Sequence, residues 1–363
     1  MLTRKLGPID HDASLIGFGA IPIMADSPMG SISESDAIDL MQAAFDRGVN
    51  YLDTAISYGD SEIRVGKALK GGYRERVFLA TKTYIKGGDD SPAQFAADID
   101  SSLQRLGVDV IDCYQIHYID RNGEWAYRDG GIIDVMKQAQ QQGKIRYLGV
   151  TGHTPEPLIE AVKTGEFALA LLPYSLLNRA NEPELLPLCA EMNVATVVMK
   201  PIGGGSLATP REVLGEFSGP HITAGVALRF VLSNPHVTIA CPGMDSMEEL
   251  DENLAVIAEE EIAPLTEAER TVIDAQLARI TKETCRQCGY CMAVCPQEMR
   301  ISDILRYERY AEVFDLVQYA QEQYRALVVT PEDCLTCGEC EKKCPYGLGI
   351  RARLQEAMGV LRG

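Results

Sequence analysis

The sequence predicts an α/β protein in which a (β/α)8 TIM barrel is followed by a small helix-rich domain. Short apolar runs alternate with helical patterns from about residue 15 to residue 259, and eight such pairs suit the length of a barrel. The composition then changes, because eight of the 11 cysteines lie beyond residue 284. We therefore expect one domain over residues 1–265 and a second over residues 266–363.

The barrel strands are predicted from short apolar runs bounded by polar or turn-forming residues. The eight runs are 15–19, 49–53, 77–81, 110–116, 145–150, 168–173, 195–199 and 237–240. Ahead of them, Gly7-Pro8-Ile9-Asp10 separates two short runs and predicts a hairpin that closes the barrel floor. A doubly wound parallel sheet is the rival architecture, but a glycine fingerprint usually follows its first strand.

Eight helices are expected in alternation with these strands. They cover about residues 35–46, 62–69, 92–106, 132–142, 155–164, 183–192, 222–232 and 247–258. Ser91 and Thr154 each precede a proline, so we expect their hydroxyl groups to cap the helices that follow. Thr266 and Glu269 match a capping box that opens one further helix.

Four polar side chains lie where the second, third and fourth predicted barrel strands end. Asp53 ends one strand and Tyr58 lies on the loop after it. Lys82 and His117 follow the next two strands in the same way. Because the carboxyl ends of parallel barrel strands meet at one mouth, we expect these four side chains to converge there.

These four residue types suit the transfer of a proton to a carbonyl oxygen that is being reduced. The Lys82 ammonium is expected to lower the pKa of the Tyr58 phenol, which is near 10 when unperturbed. Asp53 would hold the lysine, and His117 would hydrogen-bond the substrate oxygen or the phenol. Taken singly, the same residues also fit a surface tyrosine, a solvated lysine and a core histidine.

The overall composition excludes some classes of protein. The formal net charge is −18, and the sequence has no basic stripe that would bind a nucleic acid backbone. We see no N-terminal signal and no apolar run long enough to cross a membrane, so we expect a cytoplasmic protein. In that compartment, 11 cysteines indicate metal or redox chemistry rather than disulfides.

Two cysteine runs share the spacing C-x2-C-x2-C-x3-C-P. The first run is Cys285, Cys288, Cys291 and Cys295, and the second is Cys334, Cys337, Cys340 and Cys344. This spacing is typical of bacterial ferredoxins and predicts a ferredoxin-like domain with two 4Fe–4S clusters; zinc knuckles are the alternative.

The wiring of the two clusters follows from the same motif, because the fourth cysteine of each run ligates the other cluster. One site is then Cys285, Cys288, Cys291 and Cys344, and the other is Cys334, Cys337, Cys340 and Cys295. The remaining cysteines lie in apolar segments and are expected to be core residues. They are Cys113, Cys189 and Cys241.

The first 260 residues resemble the aldo-keto reductases. Asn50-Tyr51-Leu52-Asp53-Thr54-Ala55 with Tyr58, Ala80-Thr81-Lys82 and Gln115-Ile116-His117 match the catalytic Asp, Tyr, Lys and His segments of that family. The whole chain is similar to a subgroup with a C-terminal ferredoxin-like domain that carries two 4Fe–4S clusters. The resemblance implies reduction of a small-molecule carbonyl, or oxidation of an alcohol, with a nicotinamide cofactor.

The resemblance also implies a set of nucleotide-binding residues. The glycine loop after the seventh barrel strand looks like the pyrophosphate-binding loop of the family, and Glu252-Asn253 looks like its adenosine-binding segment. The implied residues are Thr151, Lys200, Ile202, Gly203, Gly204, Gly205, Ser206, Leu207, Glu252 and Asn253. Members that prefer NADPH usually have a basic residue where this chain has Asp251. We therefore expect this protein to bind NADH at least as well as NADPH.

Three positions depart from the family pattern around the nicotinamide ring. Met199 stands where many members have a stacking aromatic residue. Thr151-Gly152 replaces the usual Ser-Asn pair, and Leu171 replaces a glutamine.

These departures leave two enzymatic interpretations open. In the first, the protein is a carbonyl reductase that uses NAD(H) or NADP(H) and carries two auxiliary clusters. In the second, a ferredoxin-like partner supplies electrons and Tyr58 serves only as the proton source. A non-catalytic redox sensor is disfavoured by the presence of all four catalytic residue types.

Overall fold

The structure is a computed structural model, and it describes residues 1–25, 32–204, 207, 222–278 and 284–363. The chain divides into two compact units. The first comprises Met1–Tyr174, Arg179–Pro201 and Leu228–Pro264, and the second comprises Ser175–Asn178, Ile202–Ala227 and Leu265–Gly363. The described residues of this stretch, 202–204, 207 and 222–227, therefore group with the C-terminal segment, whereas the sequence was divided at residue 265.

A hairpin precedes the barrel, as the turn residues predicted. Strands β1 (Thr3–Leu6) and β2 (Ile9–Ser14) pair antiparallel across Gly7 and Pro8. Gly7 has a φ of +56°, and a Cβ there would lie 2.6 Å from the backbone nitrogen of Ala195. Because Ala195 begins a barrel strand, the hairpin lies against the amino-terminal end of the barrel, and a side chain at Gly7 would clash.

The first unit contains eight parallel strands that close into a barrel. They are β3 (Phe18–Gly19), β4 (Tyr51–Asp53), β5 (Phe78–Tyr84), β6 (Ile111–His117), β7 (Ile145–Thr151), β8 (Leu169–Pro173), β9 (Ala195–Met199) and β10 (Ile239–Cys241). The strands pair in chain order, and parallel bridges from Ile16 to Ala240 and from Gly19 to Gly243 join the first strand to the last. The predicted (β/α)8 barrel is confirmed.

Side chains from alternate strand positions fill the barrel interior. Tyr51 and Phe78 stack there with ring centroids 5.8 Å apart. The buried interior residues are Leu6, Ile9, Ala13, Tyr51, Phe78, Ala80, Cys113, Leu169, Leu171, Ala195, Val197, Ile239 and Cys241. Two of the three cysteines outside the motifs belong to this set, and the third, Cys189, is also fully buried. The expectation that these three are core residues is confirmed.

Helices alternate with the barrel strands close to the predicted positions. They are Glu34–Asp46, Ser61–Ala68, Ser91–Leu106, Ile132–Gln141, Pro155–Lys163, Leu185–Glu191, Ala224–Leu232 and Met247–Ala255, with a short unpredicted helix at Glu124–Tyr127. Two predicted caps are wrong. Ser91 is the first helical residue rather than the cap, which is Asp90. Thr154 precedes its helix, but its hydroxyl donates to Asp120 instead of capping.

The second unit is rich in helices, as predicted. Its helices are Glu267–Leu277, Ile301–Glu312, Val317–Arg325, Glu339–Lys342 and Ile350–Leu361, with 3-10 turns at Met292–Val294 and Pro331–Asp333. The predicted capping box is confirmed, since the Thr266 hydroxyl accepts from the Glu269 N–H at 3.2 Å and the Glu269 carboxylate accepts from the Thr266 N–H at 2.8 Å. Within the described ranges, none of the helices has the length and apolar character that crossing a membrane requires.

Candidate active site and cysteine-lined cavities

Lys82 and Asp53 form a buried ion pair at the carboxyl ends of neighbouring strands. Asp53 is the last residue of β4 and pairs with Ala80 on β5. Lys82 lies on the same strand, two residues beyond Ala80. The Lys82 Nζ contacts Asp53 Oδ1 and donates to the Thr54 carbonyl at 2.7 Å. The two side chains are only 1% and 8% exposed, so each charge depends on the other for compensation.

Gln115 holds the second oxygen of the same carboxylate. Its Nε2 donates to Asp53 Oδ2 at 2.7 Å, and its side chain is fully buried. Gln115 lies two residues before His117 on β6, so both side chains point to the barrel interior. No role was predicted for Gln115 from the sequence, although its position two residues before His117 indicated that it faces the barrel interior.

Tyr58 lies beside the lysine, on the loop after β4. The Lys82 Nζ is 5.0 Å from the centroid of the Tyr58 ring. Burial first, and then the charge of Asp53, raises the pKa of Tyr58 well above its ordinary value of 10. The expected lowering of this pKa by Lys82 is therefore wrong, because burial and the negative charge of Asp53 both disfavour the phenolate. The phenol keeps its proton at neutral pH.

His117 completes the predicted group of four. Its ring meets that of Tyr58 edge-on, with centroids 5.9 Å apart, and stacks on Tyr84 at 4.1 Å. Burial first, and then the charges of Lys82 and Lys200, lower the pKa of His117 well below 6.5, so the imidazole is neutral at pH 7. Its Nδ1 is buried and has no hydrogen-bond partner among the described residues. The four residues are brought together, with Tyr84 as an unpredicted neighbour.

His153 is a second buried histidine near the same strand ends, and the sequence analysis missed it. Its ring meets that of Tyr118 edge-on, with centroids 5.2 Å apart. Burial first, and then the charges of Lys200 and His117, lower the pKa of His153 well below 6.5. Because His153 lies beyond the end of β7, the alternation of strand residues gave no signal for its position.

The nucleotide-binding residues implied for the first unit lie near the carboxyl ends of their strands or on the last barrel helix. Thr151 ends β7, and its hydroxyl accepts from the Tyr118 N–H at 2.8 Å. Lys200 follows β9 with a φ of +55°. Glu252 and the fully buried Asn253 lie on helix Met247–Ala255.

The remaining implied residues belong to the loop that continues into the second unit. Gly203 and Gly204 have φ values of +59° and +67°, which favour glycine over other residues. The N–H of buried Leu207 donates to the Ile202 carbonyl at 3.3 Å. Gly205 and Ser206, which were also implied, lie outside the described residues.

The three departures from the family pattern lie in packed surroundings. A Cβ on Gly152 would lie 2.8 Å from both Asp120 Oδ2 and Leu158 Cγ, so a side chain there would require one of these two neighbours to shift. Leu171 is buried within the barrel interior, and Met199 packs against the same cluster. These positions therefore offer no amide or aromatic group to a nicotinamide ring.

Asp251 has a cationic partner that the sequence did not indicate. Arg47 Nη1 forms an ion pair with Asp251 Oδ1, and the two side chains are 43% and 64% exposed. The expectation of NADH binding rested on the charge of Asp251 alone and did not include Arg47. The structure therefore places a guanidinium beside Asp251.

The eight motif cysteines line two separate cavities in the second unit. Cys285, Cys288, Cys291 and Cys344 line one cavity, together with apolar residues such as Leu305, Leu348 and Ile350. Cys295, Cys334, Cys337 and Cys340 line the other. Each cavity draws three cysteines from one run and the fourth from the other run. Four thiols around an apolar cavity form the donor set that a 4Fe–4S cluster requires, so the residues present fit this group.

Comparisons with known proteins agree with both halves of the chain. The Aldo/keto reductase family profile matches residues 15–275, and that of a 4Fe-4S dicluster domain matches residues 284–349. The chain is 28% identical to a probable aldo-keto reductase of Glycine max over 294 residues, covering 70% of this chain and 84% of that protein.

Two further relatives extend the comparison. An NADH-specific methylglyoxal reductase of Escherichia coli (strain K12) is 33% identical over 221 residues, covering 56% of this chain and 68% of that protein. The holo structure of an aldo-keto reductase from Bacillus halodurans superposes with a TM-score of 0.62 at 29% identity, covering 76% of this chain and 95% of that one.

Proposed function

Because this chain belongs to the aldo-keto reductase family and carries a 4Fe–4S dicluster domain, we propose that it reduces a small-molecule carbonyl, or oxidises the corresponding alcohol, with a nicotinamide nucleotide. The observation that carries this proposal is the buried Lys82–Asp53 pair beside the Tyr58 ring and a neutral His117. Residues 1–265 are the reductase domain in this proposal, and residues 266–363 are the cluster domain.

Tyr58 is proposed to be the proton donor. Its raised pKa keeps the phenol protonated until negative charge develops on the substrate oxygen. The phenolate left after proton transfer would then lie near the Lys82 ammonium, which is held in place by Asp53. The neutral His117 can hydrogen-bond the carbonyl oxygen and orient it, without competing as a charged acid.

The nucleotide is assigned to residues that include Thr151, Lys200 and Asn253, together with the glycine loop after β9. A reduced nicotinamide, when bound, supplies the hydride that the carbonyl carbon receives. NADH is proposed to be preferred, because Asp251 lies where a 2′-phosphate would need a cation, and because one relative is described as NADH-specific.

The two clusters are assigned to the two cysteine-lined cavities. One cluster takes Cys285, Cys288, Cys291 and Cys344 as ligands, and the other takes Cys334, Cys337, Cys340 and Cys295. This exchange of the fourth ligand is the arrangement known in two-cluster ferredoxins.

A second candidate function is supported by the departures around the nicotinamide ring. Gly152, Leu171 and Met199 supply none of the usual ring contacts, whereas the proton-transfer residues are all present. In this alternative, a ferredoxin-like partner delivers electrons through the clusters, and Tyr58 protonates the reduced substrate.

The test compares the two electron sources on the same anaerobically purified protein. A panel of small aldehydes and ketones is incubated with NADH, NADPH or chemically reduced ferredoxin, and alcohol formation is followed together with cluster absorbance. The first proposal expects one NADH oxidised for each alcohol formed, with the cluster spectrum unchanged. Alcohol formation from reduced ferredoxin alone would establish the second function instead.

A further inference from the structure

Arg309 is a buried cation whose charge is left uncompensated in the second unit. It lies on helix Ile301–Glu312 and is only 3% exposed. One of its amino groups, Nη2, donates to the backbone carbonyl of Cys285. Its Nε and Nη1 are buried without a hydrogen-bond partner among the described residues. An unpaired guanidinium in this position is costly unless an anion lies nearby.

Two of the three acidic residues on the same helix are engaged by other arginines. Asp303 forms an ion pair with Arg306 at 2.8 Å, and Glu308 forms one with Arg353 at 2.7 Å. Arg309 therefore lacks a carboxylate neighbour within ion-pair distance in the described part of the second unit. Its remaining donors are available to an anion beside Cys285.

Arg286 supplies a second cation at the same place. It directly follows Cys285 and lines the cavity formed by Cys285, Cys288, Cys291 and Cys344. Its Nη1 is buried and also lacks a partner among the described residues. Two guanidinium groups with unused donors thus adjoin the first cysteine-lined cavity.

The second cavity differs, because the cations around it are neutralised. Arg351 lines this cavity, and its Nε and Nη2 donate to Glu341 Oε2 at 3.0 and 2.8 Å. Lys342, on the adjacent helix Glu339–Lys342, pairs with Glu339 at 2.6 Å. Both of these positive charges are matched by a carboxylate.

We propose that Arg309 and Arg286 give the cluster held by Cys285, Cys288, Cys291 and Cys344 the higher reduction potential of the two. A cluster ligated by four thiolates is anionic and becomes more so when it gains an electron. A nearby uncompensated cation therefore stabilises the reduced form, whereas an arginine already paired with a carboxylate has little effect. A single electron shared by the two clusters then moves from the cluster of the second cavity to that of the first.

Burial of the first cavity acts in the opposite direction, because desolvation disfavours the extra negative charge. The two cavities differ in burial, because none of the four cysteines of the first is exposed whereas Cys337 of the second is exposed. In this proposal the two buried guanidinium groups with unused donors outweigh that difference and set the order of the potentials. The inference rests on the proposed cysteine ligation and not on the carbonyl chemistry.

The test is a potentiometric titration of the full-length, anaerobically purified protein, followed by electron paramagnetic resonance with dithionite as reductant. The parent should show two one-electron midpoints. Arg309→Gln should lower the higher midpoint by at least about 59 mV, which is a tenfold change in the one-electron equilibrium. Arg309→Lys, which keeps the charge, should stay close to the parent. Arg351→Gln is the matched control and should leave the higher midpoint unchanged.

The possible results separate this inference from the ligation on which it rests. A higher midpoint that is unchanged in both Arg309→Gln and Arg286→Gln would overturn the inference while the ligation stood. A parent without two clusters by iron analysis would overturn the ligation itself. If Arg309→Gln loses iron, the Arg286→Gln variant is used instead. A decrease in its higher midpoint potential supports the inference, and an unchanged value contradicts it.

Discussion

Gln115 Nε2 donates to Asp53 Oδ2 at 2.7 Å, while the other oxygen of that carboxylate contacts the Lys82 ammonium. Asp53 is therefore held from two neighbouring strands, β5 and β6. Because the carboxylate cannot rotate without breaking one of these contacts, the ammonium is fixed beside the Tyr58 ring. Gln115 acts on the candidate site through Asp53 and is a positioning residue.

Replacing Gln115 with methionine should loosen this arrangement. The buried carboxylate loses one charge-assisted hydrogen bond, which is typically worth about 1.5–3 kcal/mol of stability. We expect kcat to fall while KM for the nucleotide stays near the parent value, because Gln115 is not assigned to nucleotide binding. Steady-state kinetics and denaturant unfolding measure the two effects. Gln138→Met, at an exposed helical position, is the control. Equal effects of the two variants on kcat and stability would contradict the role of Gln115 in positioning Asp53.

His117 and His153 should make the barrel less stable as the pH falls below about 6.5. Both folded pKa values lie below the unfolded value, so the unfolded chain takes up protons first. The stabilisation is present above pH 6.5 and is lost toward lower pH, by up to about 1.4 kcal/mol per pH unit for each histidine.

The fluorescence of Trp125, the only tryptophan, can follow this unfolding between pH 7.5 and 5.5. His117→Gln should reduce the dependence of the unfolding free energy on pH relative to the parent protein. An identical slope in the parent and in His117→Gln would show that His117 does not titrate as described.

Replacing Asp251 with alanine should improve the binding of NADPH. The substitution removes a negative charge and frees the Arg47 guanidinium, which now pairs with Asp251, for a 2′-phosphate. We expect the parent to bind NADH at least as well as NADPH, and the variant to bind NADPH about tenfold more tightly, which corresponds to about 1.4 kcal/mol.

Equilibrium titration of the protein with each nucleotide checks this prediction. Glu248→Ala, on the exposed face of the same helix, is the matched control for the loss of an acidic residue. A parent that clearly prefers NADPH, or a variant whose NADPH affinity equals that of the control, would contradict the assignment of this region.

Removing single cysteines should test the exchange of the fourth ligand between the clusters. Cys344→Ser should disturb the cluster of the first cavity, and Cys295→Ser should disturb that of the second. Because metal binding and folding are coupled in such domains, removal of all iron should also unfold helices Ile301–Glu312 and Ile350–Leu361. Circular dichroism and iron analysis measure these effects. A helical signal that survives complete removal of iron would contradict the coupling.

The sequence was sufficient to predict the barrel and the group of four, because both depend on local patterns. Each strand is an apolar run, and the candidate catalytic residues lie at or just beyond the ends of these runs or, for Tyr58, on the loop that follows. The two cysteine runs were equally local. Their pairing into two cavities followed from a rule about the motif rather than from knowledge of the fold.

The features that the sequence did not reveal depend on contacts between distant segments or on burial. Arg47 and Asp251 are 204 positions apart, so no inspection of neighbouring residues could pair them. The pKa of Tyr58 rises instead of falling because burial and the Asp53 charge outweigh Lys82, which only the packed barrel determines. The role of Gln115 likewise requires the register between β5 and β6.

The most direct test of the proposed chemistry is the turnover of Tyr58→Phe, which keeps the ring and removes the hydroxyl. Loss of general acid catalysis should lower turnover by about 10²–10⁴-fold, while cluster reduction and nucleotide affinity remain near the parent values. Tyr73→Phe is the control. Tyr73 precedes β5, whereas Lys82 lies near the carboxyl end of that strand, and the Tyr73 hydroxyl donates to Asp46 at 2.9 Å. Turnover of Tyr58→Phe within about threefold of the parent, below an ordinary general-acid contribution, would contradict the assignment of Tyr58 as proton donor.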